Sequence, residues 1–371
     1  MPDLTTFLRP HLQELPPYIP IEPFEVLSAR YGRKPEEIIK LDANENPYSI
    51  SGHIRSALAE MDYPHIYPDP ESRELRKSLS EFTGIPTENL LAGSGADELI
   101  DLILRVLIEP GDQVLSCPPT FGMYAFDTLL NAGTLIEVPR HVDFRLNLPA
   151  IQHAVTHRQV KVLFLASPNN PDGSLLPTKI LDELLDLPVI LVIDEAYIEF
   201  ADQTDQLGRS LSLITQVPMR ENLIVLRTFS KWAGLAGLRV GYGAFPSWLM
   251  PTLWKAKQPY NINVAASIAA IAAIEDAGSI KEQVVTIRQE RERLWQGLSK
   301  IGWLQPYPTR ANFILCKVNG RDAAQLKMNL AQQYGILIRY FNKPGLTDHI
   351  RISVGKPEQT NKILEALQCI S

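Results

Sequence analysis

The feature that most limits the fold of this chain is a series of continuous apolar runs, separated by segments with helical periodicity. The runs cover residues 114–115, 160–166, 189–193 and 223–226. A strand with one solvent-facing side alternates apolar and polar residues, whereas a strand that is covered on both faces stays apolar throughout. Residues 97–107 and 178–185 instead repeat apolar positions at helical spacing. We therefore predict an α/β fold, with a mainly parallel sheet sandwiched by helices.

The C-terminal hundred residues have a different pattern, which predicts a second domain. A long charged helix is expected at 280–300, followed by strands at 313–318, 336–340 and 349–354 and a last helix from residue 357. The first forty residues are rich in proline, which is typical of an extended arm. We expect a large α/β domain over residues 40–270 and a smaller α+β domain formed by residues 1–39 and 271–371.

Composition excludes several classes of function. The 36 basic and 42 acidic residues give a net charge of -6, which disfavours nucleic acid or an anionic membrane as the main partner. The first residues lack the apolar core of a signal peptide, and the apolar stretch 264–274 is too short to span a bilayer. Cys117, Cys316 and Cys369 are far apart, which predicts reduced thiols in a cytoplasmic protein and no metal site.

Polar side chains follow three of the apolar runs at the point where each predicted strand ends. Asp194 and Tyr197 follow the run 189–193, Asn170 follows the run 160–166, and Lys231 follows the run 223–226. Each is ambiguous alone, because a strand-end aspartate can cap a helix and Asn-Pro-Asp-Gly can be a turn. Because ligands of open α/β sheets bind at the carboxyl ends of the strands, the set together predicts a ligand site.

Residues 94–97 (SGAD) open a predicted amphipathic helix and have two interpretations. Backbone N–H groups at a helix start, free of bulky side chains, can bind an anion. The same spacing of Ser94 and Asp97 is also that of a capping box, which any helix can carry. The residues alone leave both interpretations open.

Taken in this order, the motifs resemble the fold-type I pyridoxal-phosphate enzymes, and within them the aspartate aminotransferase superfamily. The resemblance depends most on Ser230 and Lys231 with Arg239 eight residues later, joined to Asp194 and Tyr197. It covers nearly the whole chain. It implies a seven-stranded large-domain sheet, pyridoxal 5'-phosphate as the cofactor, and transfer of an amino group.

The resemblance also implies a role for each of these residues. Lys231 would form an imine with the cofactor and later move a proton, two tasks that suit a lysine amine. Asp194 would keep the pyridine nitrogen protonated, and Tyr197 and Asn170 would donate to the phenolic oxygen of the ring. The cofactor phosphate would be held by Ser94, Gly95, Ala96, Asp97, Ser230 and Arg239. Phe121 would stack on the ring, although a core aromatic is nearly as good an interpretation.

Five further motifs resemble the histidinol-phosphate aminotransferase family in particular. They are residues 41–47 (LDANENP), 67–70 (YPDP), 93–98 (GSGADE), 194–200 (DEAYIEF) and 351–355 (RISVG). This family exchanges an amino group between L-histidinol phosphate and 2-oxoglutarate in histidine biosynthesis, giving imidazole acetol phosphate and L-glutamate. The partners implied are therefore small molecules, namely a phosphorylated amino alcohol and a 2-oxo acid.

Carried over, the family also implies a homodimer with shared active sites. Tyr67 would reach the cofactor phosphate of the neighbouring subunit. Arg351 would bind substrate anions, and Arg339 would bind the substrate phosphate, since a planar guanidinium suits both carboxylate and phosphate. An N-terminal aromatic near the substrate would be Tyr18 or Phe24.

Two related activities remain open at this point. An aromatic amino-acid aminotransferase and a threonine-phosphate decarboxylase of the same fold would share the whole set of cofactor residues. Only the substrate pocket would separate them. A binding or regulatory module without catalysis predicts the loss of Lys231 or Asp194, and both are present.

Overall fold

The computed structural model describes residues 3–18, 22–204 and 206–370, which contain two β-sheets and helices around them. The strands are β1 (Ile39–Leu41), β2 (Leu90–Gly93), β3 (Gln113–Ser116), β4 (Thr134–Glu137), β5 (Val160–Ala166), β6 (Ile190–Asp194), β7 (Leu223–Thr228), β8 (Gly241–Ala244), β9 (Leu304–Pro306), β10 (Phe313–Val318), β11 (Ile336–Tyr340) and β12 (His349–Ser353).

The α-helices range from single turns to a helix of 23 residues. They are α1 (Pro10–Gln13), α2 (Phe24–Tyr31), α3 (Gly52–Ala59), α4 (Arg73–Thr83), α5 (Gly95–Leu107), α6 (Met123–Leu130), α7 (Leu148–Arg158), α8 (Thr178–Leu185), α9 (Ile198–Ala201), α10 (Met250–Ala256), α11 (Val264–Glu275), α12 (Ala277–Ser299), α13 (Ala323–Asn329) and α14 (Pro357–Cys369).

The larger sheet has seven strands in the order β2-β8-β7-β6-β5-β3-β4. The pairs β3–β4, β3–β5, β5–β6 and β6–β7 are parallel, and β8 runs antiparallel to both of its neighbours. Along β5, Val162, Phe164 and Ala166 pack in one apolar cluster, while Leu163 and Leu165 pack in the cluster on the opposite face. Burial on both faces explains the continuous apolar runs, and the predicted α/β sandwich is confirmed.

The smaller sheet has five strands in the order β1-β11-β12-β10-β9. Strand β1 joins it parallel to β11, and the other pairs are antiparallel. Because β1 comes from the N-terminal segment, residues from both ends of the chain build this sheet. The domain boundaries near residues 40 and 270 stay a prediction, and β1 spans the first of them.

Two findings bear on the expectations from composition. None of the helices in the described part of the chain is long and apolar enough to cross a membrane. Cys117 and Cys316 are buried free thiols, and Cys369 is a free thiol on the surface.

Candidate active site

A cavity of about 300 Å³ opens at the carboxyl ends of β5, β6 and β7. The register explains its position, because Ala166 pairs with Asp194, so β5 and β6 end at the same level. Asp194 pairs with Leu226, and β7 continues only two residues further, to Thr228. The lining includes nine of the predicted site residues: Ala96, Asp97, Phe121, Asn170, Asp194, Tyr197, Ser230, Lys231 and Arg239. The structure therefore brings together residues that are 143 positions apart in the chain (239 − 96).

Lys231 lies just beyond the end of β7, half-buried in this cavity. Its Nζ donates to the Ala43 carbonyl at 3.2 Å and lies 5.9 Å from the centre of the Tyr197 ring. Burial lowers the pKa of Lys231 to about 8, and the positive charge of Arg351 acts in the same direction. A lowered pKa increases the neutral fraction of the amine near physiological pH, which favours nucleophilic attack on a carbonyl.

Asp194 is the last residue of β6 and is almost fully buried. Its Oδ1 accepts from the Ala196 backbone N–H at 3.0 Å, and its Oδ2 accepts from the Tyr124 hydroxyl at 2.7 Å. Burial raises the pKa of Asp194 to about 6, while these two hydrogen bonds and the Lys231 charge oppose that rise. A buried carboxylate with an unused lone pair on each oxygen fits a cationic ring nitrogen.

Tyr197 and Asn170 lie beside the segment that follows β1 and beside Arg351 of β12. The Tyr197 hydroxyl accepts from Asn44 Nδ2 at 3.1 Å, and burial raises the pKa of Tyr197, so it stays a neutral phenol. Arg351 donates to Asn170 Oδ1 at 2.5 Å and to the Asp42 carbonyl at 2.7 Å. Because the Asn170 oxygen is occupied, its NH₂ group is the part that can donate to a ligand.

The helix start at α5 has the form of an anion site. Ser94 precedes α5 but makes no side-chain capping bond, so the capping-box interpretation is wrong. The Ser94 backbone N–H instead donates to Glu98 Oε2 at 2.5 Å. Gly95 has φ +77, which strains any residue with a side chain, and a Cβ there would lie 2.4 Å from Arg239 Nη2, so the guanidinium would have to move. The backbone at the start of α5 therefore lies against a guanidinium.

Arg239 and Ser230 lie on the other side of this helix start. Arg239 Nη2 donates to Asp97 Oδ2 at 2.9 Å, and its Nη1 lies 3.4 Å from Ser230 Oγ. Thr228 Oγ1 donates to Ser230 Oγ at 3.0 Å, which orients the serine. A phosphate placed here would meet backbone donors, a hydroxyl and an arginine, so the residues present fit the phosphate of the predicted cofactor.

Phe121 lies in a position that is compatible with both interpretations of its place in the sequence. It lines the cavity, and it also packs against the apolar cluster on that face of the sheet. Its ring meets the edge of Tyr124, with ring centres 5.6 Å apart and planes at 82°. The core therefore contacts the Phe121 ring while the residue borders the cavity.

Three cations of the small domain lie near one another. Arg339 and Arg351 are direct partners on the antiparallel strands β11 and β12, and both guanidinium groups lie within 6 Å of the centre of the Phe341 ring. Lys343 follows in the β11–β12 loop, and its Nζ lies 3.7 Å from the position of a Cβ built on Gly122. Gly122 adjoins Phe121, so Lys343 reaches across to the large domain beside the cavity.

Three aromatic residues that the sequence predicted for the site do not line the cavity, and all three are exposed. Tyr18 is 51% exposed, packs edge-on against Phe126 of α6, and is among the groups that act on the charge of Arg351. Phe24 begins α2 and is 39% exposed. Tyr67 is 79% exposed and stacks on Tyr260, with ring centres 4.7 Å apart. Tyr67 does not line the cavity of its own chain.

The sequence did not reveal three residues that hold the site together. Tyr124 donates to Asp194, Asn44 donates to Tyr197, and Thr228 donates to Ser230. Asn44 belongs to one of the motifs quoted above, and Thr228 lies three residues before Lys231. Tyr124 lies three residues after Phe121, and no signal in the sequence marked it.

Comparison with known proteins gives consistent results. The family model of class I and II aminotransferases matches residues 36–367. The chain is 52% identical to the chloroplastic histidinol-phosphate aminotransferase of Nicotiana plumbaginifolia, over 98% of this chain and 86% of the other. It is 49% identical to the histidinol-phosphate aminotransferase of Roseiflexus castenholzii, over 98% of each chain.

Among solved structures, the histidinol-phosphate aminotransferase of Sinorhizobium meliloti, in complex with pyridoxal-5'-phosphate, superposes with a TM-score of 0.86. The two chains are 28% identical, and the match covers 98% of each. The L-threonine-O-3-phosphate decarboxylase of Porphyromonas gingivalis, at 22% identity and a TM-score of 0.78, shares the fold. The predicted family and cofactor are confirmed, and the chain belongs to the class I and II aminotransferases and, within them, to the histidinol-phosphate aminotransferase family.

Proposed function

We propose that this protein transfers the amino group of L-histidinol phosphate to 2-oxoglutarate, with pyridoxal 5'-phosphate as its cofactor. The observation that carries the proposal is that two kinds of group lie close together. The amine Lys231, with its lowered pKa, and the buried carboxylate Asp194 line one cavity. The cationic pair Arg339 and Arg351 lies on the smaller sheet beside it, where Arg351 donates to the cavity-lining Asn170. The first kind suits amino-group transfer, and the second suits an anionic substrate.

The residues of the large domain would hold the cofactor. When bound, pyridoxal phosphate supplies an aldehyde that takes up the amino group and a ring that withdraws electrons from the reacting carbon. Asp194 would hold the ring nitrogen, the Tyr197 hydroxyl and the Asn170 amide would face the phenolic oxygen, and Phe121 would lie against the ring.

The phosphate of the cofactor would be bound at the start of α5. The N–H groups of Gly95, Ala96 and Asp97 are the donors there, joined by Ser230 and Arg239. The Arg239–Asp97 ion pair supports this proposal, because it holds the guanidinium close to the helix start. A helix N-terminus and an arginine together favour a dianion.

Lys231 would have two roles. Its neutral amine would hold the cofactor as an imine, and once the substrate amine had displaced it, the same Nζ would take a proton from the substrate carbon that bears the amino group and deliver it to the cofactor. A pKa of about 8 suits both steps, because a base works best when its pKa lies near the working pH. The Ala43 carbonyl, 3.2 Å away, orients the amine.

Substrate recognition would depend on the small domain. Arg339 and Arg351 face each other on neighbouring strands, and within the described residues neither forms an ion pair with a carboxylate. Like charges placed opposite each other on a sheet destabilise it, so a bound anion would offset their repulsion. Burial lowers the pKa of Arg351 to about 10, which leaves it charged at neutral pH. We assign Arg351 to both the carboxylate and the phosphate substrate, and Arg339 chiefly to the phosphate.

Tyr18 is the better candidate for the N-terminal aromatic at the substrate. It is close enough to Arg351 to act on the charge of that guanidinium, whereas Phe24 begins a separate helix. We therefore assign Tyr18 to the substrate pocket.

We further propose a homodimer, with Tyr67 contributing to the site of the neighbouring subunit. Tyr63, Ile66 and Tyr67 are each more than half exposed, and Tyr67 stacks on the partly exposed Tyr260. An exposed cluster of large apolar side chains is typical of a contact surface. A cytoplasmic location stays a prediction.

The test is a comparison of four compounds on the wild-type enzyme and on Arg339→Ala. We expect kcat/KM to be much higher for histidinol phosphate than for histidinol, because remote binding of the phosphate contributes at the transition state. Arg339→Ala should reduce this preference roughly tenfold to hundredfold, the usual effect of a lost bond between charged groups.

The other two compounds separate the related activities. An aromatic aminotransferase would prefer phenylalanine, and a decarboxylase would release carbon dioxide from threonine phosphate. Equal kcat/KM for histidinol and its phosphate would overturn the substrate assignment. The assignment to the aminotransferases would survive that result.

A further inference from the structure

Tyr124 lies in the core behind the cavity, and its hydroxyl contacts Asp194, which lines the cavity. Its side chain is fully buried, and its ring stacks on Phe164 of β5 with ring centres 5.0 Å apart and planes at 9°. The ring also meets Phe121 edge-on. With the ring fixed on two sides, the hydroxyl lies 2.7 Å from Asp194 Oδ2.

The Asp194 carboxylate has one protein donor on each oxygen. The Ala196 backbone N–H holds Oδ1, and the Tyr124 hydroxyl holds Oδ2. These two contacts fix the plane of the carboxylate and leave a lone pair on each oxygen. Other charged or titratable groups around Asp194 are Asp97, Tyr197 and Lys231, and of these Lys231 alone carries a positive charge.

We propose that Tyr124 is a positioning residue, which orients Asp194 and stabilises its ionised form for the cofactor's ring nitrogen. The inference rests on the proposed function only so far as the chain binds pyridoxal phosphate, and it does not depend on the substrate. Burial destabilises the Asp194 carboxylate, and a hydroxyl donor at hydrogen-bonding distance offsets part of that cost. Burial also raises the pKa of Tyr124 well above its ordinary value, so the group stays a donor.

The test measures cofactor binding rather than turnover. Dissociation constants are determined for apoprotein with pyridoxal phosphate and with an analogue in which carbon replaces the ring nitrogen. Wild-type protein should prefer the natural cofactor, because only that cofactor can pair with Asp194. Tyr124→Phe keeps the ring and removes the hydroxyl. It should weaken binding of the natural cofactor roughly tenfold while changing binding of the analogue less than about twofold.

Tyr242→Phe is the matched control. Tyr242 is also fully buried in the large domain, but its hydroxyl has no hydrogen-bond partner among the described residues. The ratio of the two dissociation constants should stay at the wild-type value in this variant. If Tyr124→Phe weakens both cofactors equally, or changes neither, the proposed role is wrong and Tyr124 only packs.

Repeating the comparison in a variant that lacks the Asp194 carboxylate separates the hydrogen bond from effects of packing. In Asp194→Asn the preference for the natural cofactor should already be small, and adding Tyr124→Phe should reduce it no further. A further reduction in the double variant would show that Tyr124 acts without Asp194, which also overturns the inference. Failure of the wild-type protein to bind pyridoxal phosphate would instead contradict the proposed function.

Discussion

Two groups of residues, one lining the cavity and one beside it, are built in different ways. The residues proposed to hold the cofactor, called the cofactor residues below, are Asp194, Tyr197, Ser230 and Lys231, at or just beyond the ends of buried parallel strands. Each contacts another protein group: Tyr124, Asn44, Thr228 and the Ala43 carbonyl, respectively. The small-domain cations are Arg339, Lys343 and Arg351, from two antiparallel strands and the loop that joins them. Within the described residues, none of these three forms an ion pair.

We infer from this difference that the cofactor residues serve the chemical step and that the cations serve substrate specificity. Hydrogen bonds within the protein fix the cofactor residues before any substrate arrives, which keeps the geometry that amino-group transfer requires. The cations form no ion pair within the described residues, so we propose that their arrangement selects an anionic ligand. Enzymes of this fold with other substrates would then differ mainly in the small domain.

The largest effect should follow from the loss of Lys231. Lys231→Ala removes both the nucleophile and the proton carrier, so transamination should fall by at least the ~10²–10⁴ that a missing proton-transfer group costs. The cofactor should still bind, because the phosphate donors at α5 and Arg239 remain. Borohydride treatment of the wild-type protein, followed by peptide mapping, should find the cofactor on Lys231. Recovery of the label on another lysine would contradict the assignment of the cofactor residues.

The sequence predicted which residues would meet at the cavity, and the reason is physical. Parallel strands buried on both faces are visible as apolar runs, and their ends share one edge of the sheet, so Asn170, Asp194 and Lys231 had to converge. The helix predicted at 280–300 was also confirmed, since the structure has Ala277–Ser299. Local pattern was sufficient wherever an element is long or fully buried.

The sequence could not predict features that depend on distant contacts. Strand β8 contains Gly241 and Gly243, and a Cβ on Gly243 would lie 2.7 Å from the Phe245 ring and 2.8 Å from Leu226. Packing therefore favours glycine at this position, although glycine has a low propensity for β-strands. The Tyr124–Asp194 bond joins residues 70 positions apart, and the pairing of Arg339 with Arg351 depends on the register of two strands.

The proposed homodimer predicts that a residue of the neighbouring subunit, Tyr67, completes the set of cofactor residues in each site. If Tyr67 serves the neighbouring subunit, Tyr67→Ala mixed with Lys231→Ala should recover activity, because one site of each heterodimer has both intact residues. Random assortment in a symmetric dimer gives about a quarter of the wild-type activity. The assay should use a cofactor concentration at which Tyr67→Ala alone is mostly empty. No recovery in heterodimers verified by mass spectrometry would contradict the shared site.

The smallest effect should come from Lys343, the most exposed of the small-domain cations. Lys343→Gln keeps a long polar side chain and removes the charge. Because exposed charges interact weakly and are screened by salt, kcat/KM for histidinol phosphate should fall only about two- to fivefold at low ionic strength. The loss should disappear in high salt, and unphosphorylated histidinol should be unaffected.

A matched control separates this effect from the general charge of the protein. Lys362→Gln removes the charge of another exposed lysine, on α14, which lines no part of the cavity. It should leave kcat/KM for both compounds unchanged. If Lys343→Gln lowered kcat/KM equally for histidinol and its phosphate, Lys343 would act on the protein rather than on the substrate anion. Selectivity would then depend on the two arginines, because they alone are fixed by the register of the small sheet.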